Sequence, residues 1–134
     1  MSEESAQPYL ALKALMMPRD TNPYGTIFGG VLLSYIDQAG AAGVQHVMRS
    51  SGWPMQPTVT VGLSGVEFHE AVYVGDVVSF FTEIMRVGRT SITMHVTVEA
   101  ERDGKTVNLT EAEITYVAVS IDGDERCPIA IRGE

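Results

Sequence analysis

Only one stretch of this chain carries a helical repeat, and nearly everything after it alternates with the two-residue period of strands. That division limits the fold more than any other feature. Between Phe28 and Met48, the residues Leu33, Ile36, Gly40, Val44 and Val47 recur at three-to-four spacing, which predicts a helix with one apolar face. Its centre is Ala39-Gly40-Ala41-Ala42-Gly43, five small residues in a row. Two glycines in a helix interior cost about 1 kcal/mol each relative to alanine. Close approach of another backbone is the simplest compensation. Ser50-Ser51-Gly52 and Pro54 end the helix. Upstream, the Asp, Asn, Pro and Gly of residues 20–26 mark a turn. Tyr9 to Met17 predicts a first strand, closed by Pro18.

Downstream, Val59, Val61 and Leu63 alternate, and Val66 and Phe68 continue in the opposite phase. This slip around Gly65 predicts a bulge or bend. Val74-Gly75-Asp76 reads as a turn. Val77 to Val87 begins apolar on both faces, which predicts cover on both sides. After Gly88-Arg89, the residues Ile92, Met94, Val96 and Val98 alternate with polar neighbours. Asp103-Gly104 predicts a two-residue hairpin, and Thr106 to Ile121 a long bent or bulged strand closed by Asp122-Gly123. The order is strand, long helix, then four antiparallel strands in a meander: a two-layer α+β domain. A sheet edge or the second sheet face then needs cover, so a homo-oligomer is expected.

With 134 residues, the chain suits one domain and one core, with residues 1–7 read as a frayed tail. Its single cysteine, Cys127, excludes an internal disulfide framework and fits a reducing compartment such as the cytoplasm. The polar, acidic residues 1–5 argue against a leader, and no apolar run is long enough to predict a membrane span. A formal charge of -8 disfavours non-specific nucleic-acid binding. Seven methionines read as adaptable core filling. His46, His69, His95 and Cys127 lack metal-ligand spacing, so no metal is expected. Gly62-Leu63-Ser64-Gly65-Val66 lacks the last glycine of a nucleophile elbow, and no P-loop or dinucleotide fingerprint occurs.

The chemistry concentrates between Asp20 and Gly40. The Gly29-Gly30 pair opens the helix, where free backbone N–H groups admit close approach of a ligand. Asp37 follows two turns inside, and a lone acid in an apolar helix is costly unless paired, exposed or used. Together these residues suggest an oxyanion-binding end and a base. A solvated Asp37, and a glycine pair serving only close packing, are the structural alternatives.

Taken together, Met17-Pro18-Arg19-Asp20-Thr21-Asn22, Gly25, Ile27-Phe28-Gly29-Gly30 and Asp37-Gln38-Ala39-Gly40 resemble the hotdog-fold acyl-CoA thioesterases of the YciA type. Glu67-Phe68 with Val72 to Val78, Gly88 to Ile92, and Glu111-Ala112 with Thr115 to Val119 agree, so the resemblance spans residues 14–121. It departs at Thr26, where the family commonly has an acid, and at Ala71, where it commonly has a proline. The resemblance implies a long central helix wrapped by a curved antiparallel sheet of five to six strands. It further implies dimers with a joined sheet, often assembled as trimers of dimers, with active sites at the dimer interface. By the same resemblance, Asp37 is the general base or nucleophile, the Gly30 N–H is the oxyanion donor and Asn22 orients the water or thioester. Gly29 and Phe68 line the substrate site, while Gly88, Arg89, Thr90 and Ser91 meet the phosphates of coenzyme A. Coenzyme A is then part of the substrate, and no cofactor is required. A non-catalytic acyl-CoA-binding module, or a thioesterase acting on acyl carrier protein, are the competing expectations.

Overall fold

Helix α1 spans Gly29–Ser51 and turns Leu32, Ile36, Ala39, Gly40, Gly43, Val44, Val47 and Met48 inward. It stops at Gly52, whose left-handed backbone (φ 72°) lets its N–H reach the carbonyl of Met48. The inward set begins at Leu32; Leu33 packs beside the core and is only half-buried.

The computed structural model describes residues 7–122 and 125–133. The predicted tail therefore lies outside the described residues except for Gln7, which is exposed; Gly123 of the expected closing turn also lies outside. The strands are β1 (Tyr9–Leu15), β2 (Thr58–Phe68), β3 (Val77–Val87), β4 (Ser91–Arg102), β5 (Lys105–Asp122) and β6 (Glu125–Pro128). All pairings are antiparallel, in the order β1-β3-β4-β5-β2, with β6 paired to the end of β5. The two-layer α+β architecture is as expected, but the meander is not. It holds only for β3-β4-β5. After β2, the chain crosses from the β5 side to place β3 beside β1, leaving β2 as an outer strand.

The core lies between α1 and the inner sheet face. Phe80, Ile92, Met94, Val96, Ile114 and Tyr116 from three strands are almost wholly buried against the helix. Each such side chain contributes about 1.5–3 kcal/mol of transfer free energy. Two of the five small helical residues, Gly40 and Gly43, have a clear packing role. A Cβ at Gly40 would collide with the hydroxyl of Tyr116 and with Ile114, and one at Gly43 with Thr82. The close approach is therefore made by side chains of the sheet, not by another backbone.

Asp103 (φ 52°) and Gly104 (φ 75°) form the predicted hairpin turn, both in the left-handed region. The register of β2 shifts between Thr60 and Gly62 and again between Ser64 and Glu67, which places a bulge at the expected Gly65 and a second one before it. In β3, Val78, Phe80 and Thr82 are buried, but Val77 stays 48% exposed, so the described residues do not give the expected cover of both faces.

Candidate functional site

Because α1 lies across β1, β3, β4 and β5, its flank toward β2 is left as a seam. Asp37 sits on that flank, half-buried. Its carboxylate Oδ1 accepts a hydrogen bond from Thr60 Oγ1 of β2 at 2.7 Å. The phenol of Tyr116 donates to the backbone carbonyl of Asp37 at 2.7 Å and lies 3.3 Å from Oδ1. Tyr116 reaches this position because Gly40, one helical turn on, has no side chain to obstruct it. Burial, and then the negative charge of Asp37, push the Tyr116 phenol well above its ordinary range, so it remains a protonated donor. Asp37 is thus neither a freely solvated acid nor a core residue. It is an acid oriented by two hydroxyls beside a strand edge that is unpaired among the described residues.

About two turns away, or ~10 Å along the axis, lies the helix tip. Phe28 occupies the N-cap and supplies no side-chain acceptor. Its own N–H goes to the Asp20 carbonyl at 3.0 Å, and the N–H of Ile27 to the Val72 carbonyl at 2.8 Å. Among the described residues, no acceptor takes the N–H of Gly29 or Gly30. These groups are the ordinary orphans of a helix start, at its positive end. Gly30 is exposed, with open space where a Cβ would stand. The Phe68 ring lies 3.3 Å from the position a Gly29 Cβ would take. A cavity of about 350 Å³ opens here, lined by Thr26, Ile27, Gly29, Leu32, Phe68 and residues 69–72.

The Asn22 amide is engaged in its own loop. Its Oδ1 accepts the N–H groups of Tyr24 (2.9 Å) and Thr26 (3.1 Å), and its Nδ2 donates to Thr26 Oγ1 at 2.7 Å. Thr26 accordingly serves this loop rather than capping α1. His69 follows β2 and pairs with Glu111 at 3.0 Å, a partner shared with His95 at 3.1 Å. The Gly88–Ser91 turn closes through the Gly88 N–H on the Ser91 carbonyl at 2.8 Å, with Arg89 exposed. Ser91 pairs with Val117 and Phe68 with Thr110, so the turn and the cavity stand about 23 Å apart along β5.

One chain therefore brings Gly29 and Phe68 together, leaves Gly30 open beside them, holds Asp37 apart from them, and puts residues 88–91 at the far end of the sheet. Beside Asp37 stand Thr60 and Tyr116, which the sequence pattern does not single out. Tyr116 carried a signal, since it shares the inward phase of Ile114 and Ala118 and a buried tyrosine needs a partner for its hydroxyl. Thr60 carried none, because the bulges in β2 exchange its faces.

Among the described residues, no group of three or more His, Cys, Asp or Glu side chains is placed to hold a metal ion. No described helix is long and apolar enough to cross a membrane.

The sequence profile of the thioesterase superfamily matches residues 24–107. The chain belongs to that superfamily. It is 36% identical over 136 residues to acyl-CoA thioester hydrolase YciA of Salmonella typhimurium, covering 98% of this chain and 97% of that one. This superfamily member is also similar to the crystal structure of a hexameric hotdog fold thioesterase of Campylobacter jejuni. That match has a TM-score of 0.76 at 39% identity, over 90% of each chain. A third match is an Asp-to-Ala variant of a hexameric broad specificity acyl-coenzyme A thioesterase, with TM-score 0.79, 31% identity, and 93% of this chain and 87% of that one covered. The long helix against an antiparallel sheet is the hotdog fold.

Proposed function

We propose that this chain hydrolyses acyl-CoA thioesters to a carboxylic acid and coenzyme A, at a site shared by two copies of itself. The observation that carries this is the separation of Asp37 from the free N–H groups of Gly29 and Gly30 along one helix, beside a β2 edge with no partner among the described residues. A single carbonyl cannot meet both within one chain. That edge exposes Val61 (58%), Leu63 (41%) and Phe68 (53%), which favours pairing with another strand. A two-fold axis through the middle of β2 sets Thr60, and Asp37 behind it, opposite the partner's Phe68, against which the partner's Gly29 rests. A homo-oligomer built on this dimer, as a trimer of dimers, accords with the hexamers of the structural relatives.

In this arrangement, Asp37 acts as general base on water, or attacks the thioester carbon directly to form a mixed anhydride that water then hydrolyses to release the acid. Thr60 and Tyr116 fix its orientation. The Gly30 N–H, with that of Gly29, stabilises the negative charge developing on the carbonyl oxygen. The thiolate of coenzyme A leaves. The Phe68 cavity takes part of the acyl-CoA, and Asn22 shapes the loop behind the helix tip, with its second amide hydrogen available to the water or thioester. Arg89 with Gly88, Thr90 and Ser91 binds the phosphates of coenzyme A. The chain's own groups supply every step, so no metal or cofactor enters, and the single cysteine accords with work in the cytoplasm.

The test is hydrolysis of a panel of acyl-CoAs by wild type and Asp37→Ala, followed by thiol release. The variant is expected to lose activity by roughly 10²–10⁴-fold. Unchanged activity refutes the role of Asp37. Mixed dimers of Asn22→Ala and Asp37→Ala should regain part of the activity, and no recovery in verified mixed dimers contradicts the shared site.

A further inference from the structure

The crossover from β2 to β3 forms one wall of the cavity; backbone hydrogen bonds tie its ends to Leu109 and Met16, and between them one side chain from β4 holds it. Arg102 Nη2 donates to the Ala71 carbonyl at 2.8 Å and to Asp76 Oδ2 at 2.6 Å, while its Nε donates to Asp76 Oδ1 at 3.3 Å. Asp76 Oδ2 also accepts the Tyr73 N–H at 2.9 Å. The guanidinium stands 5.3 Å from the centre of the Tyr73 ring. Residues 71–76 are thus gathered around one planar fork. The next residue along, Val72, is 3% exposed, and its carbonyl accepts the N–H of Ile27. Ile27 stands two residues before Gly29. A continuous path therefore runs from Arg102 through Ala71, Val72 and Ile27 to the tip of α1.

We infer that Arg102, locked by Asp76, is a positioning residue that sets where the Gly29 and Gly30 amides point. This rests on the hydrolase reading above for its effect on rate, though not for its effect on structure. A fork that holds an acid and a carbonyl at once is a task for arginine; lysine keeps the charge but offers no planar pair of donors. Amides that act on charge developing in the transition state are sensitive to small displacements, and an error of about 1 Å costs on the order of a hundredfold in rate. The signature is a loss in kcat larger than any change in KM, because the amides act on charge that develops only in the transition state.

The test uses Arg102→Met, Arg102→Lys and Asp76→Asn in the full chain, read two ways. In steady-state hydrolysis, Arg102→Met is expected to lower kcat at least about tenfold with KM within about twofold, and Arg102→Lys to fall between it and wild type. In amide hydrogen exchange, the Ile27 N–H is expected to exchange at least about tenfold faster while core amides of β4 keep their rates. A kcat within about twofold of wild type, an unchanged Ile27 rate, or a rise shared equally by the β4 core overturns the inference. If Arg102→Met does not fold, the other two variants carry the same test. If wild type hydrolyses no acyl-CoA, the hydrolase reading has failed, and the Ile27 exchange rate alone decides whether Arg102 governs the helix tip.

Discussion

Replacing Thr60 with valine removes one hydroxyl and keeps the branched shape of the side chain. In the folded chain that hydroxyl donates to Asp37 Oδ1 at 2.7 Å. A hydrogen bond to a charged group is worth about 1.5–3 kcal/mol. Thr60 is exposed, so water competes and the lower end applies. About 1.5 kcal/mol corresponds to roughly tenfold in rate. Tyr116 goes on holding the Asp37 backbone carbonyl, which keeps the loss from being larger. Stability should fall by no more than about 1.5 kcal/mol, the value of that bond, because no buried volume changes. The prediction is therefore specific: in Thr60→Val, kcat for acyl-CoA hydrolysis falls about tenfold, KM is unchanged, and the protein still melts in one cooperative transition a few degrees at most below wild type. Thr60→Ser, which restores the hydroxyl, should recover most of the rate. A kcat within about twofold of wild type in Thr60→Val refutes the idea that this contact orients the acid.

Gly40→Ala should destabilise the protein by about 1–3 kcal/mol in a denaturant titration, even though alanine is the better helix former by about 1 kcal/mol. The added Cβ meets Tyr116 and, at 2.9 Å, Ile114; equal or greater stability would contradict that packing. Acid sensitivity should come from two carboxylates held below their ordinary range. Burial raises Asp76, but the hydrogen bond from Arg102, the Tyr73 N–H and the Arg102 charge outweigh it. Glu111 is lowered by the Asn108 amide first and then, against some burial, by His69 and His95. A depressed carboxylate contributes its full stabilisation above the unfolded value and loses it as pH falls through the folded one. Melting temperature should therefore drop between about pH 5 and 2, and Asp76→Asn should flatten that decline; an equally steep decline in the variant argues against the pairing with Arg102.

The helix was legible from local pattern alone, since Ile36, Gly40, Val44 and Val47 face inward as their spacing requires. The hairpin at Asp103-Gly104 was equally local. The position of β2 was not. Neighbours in sequence usually pair, but here the crossover after Phe68 carries the chain past β5 and β4, a long-range choice that no short window records. Phase misled as well. Val61 shares the alternation that normally marks a core face, yet it is 58% exposed, while Thr60 faces the helix. A single added residue at each bulge reverses which side chains point inward. Asp37, Gly29 and Gly30 stood out because each violates the chemistry of an ordinary helix. Thr60 did not, because a threonine on a strand violates nothing. The amide of Asn22 shows the reverse case: a residue marked by family resemblance whose visible contacts are those of a turn former.

The two irregularities in β2 also restrict what can join it. A flat, regular edge accepts any extended peptide and can go on recruiting strands without limit. An edge bent twice by extra residues matches along its length only a strand carrying the same bends in the opposite direction, and the commonest such strand in the cell is that of an identical chain. In the dimer proposed above, recruitment at β2 would use up the edge that made it possible, so growth could not continue from that side of the sheet.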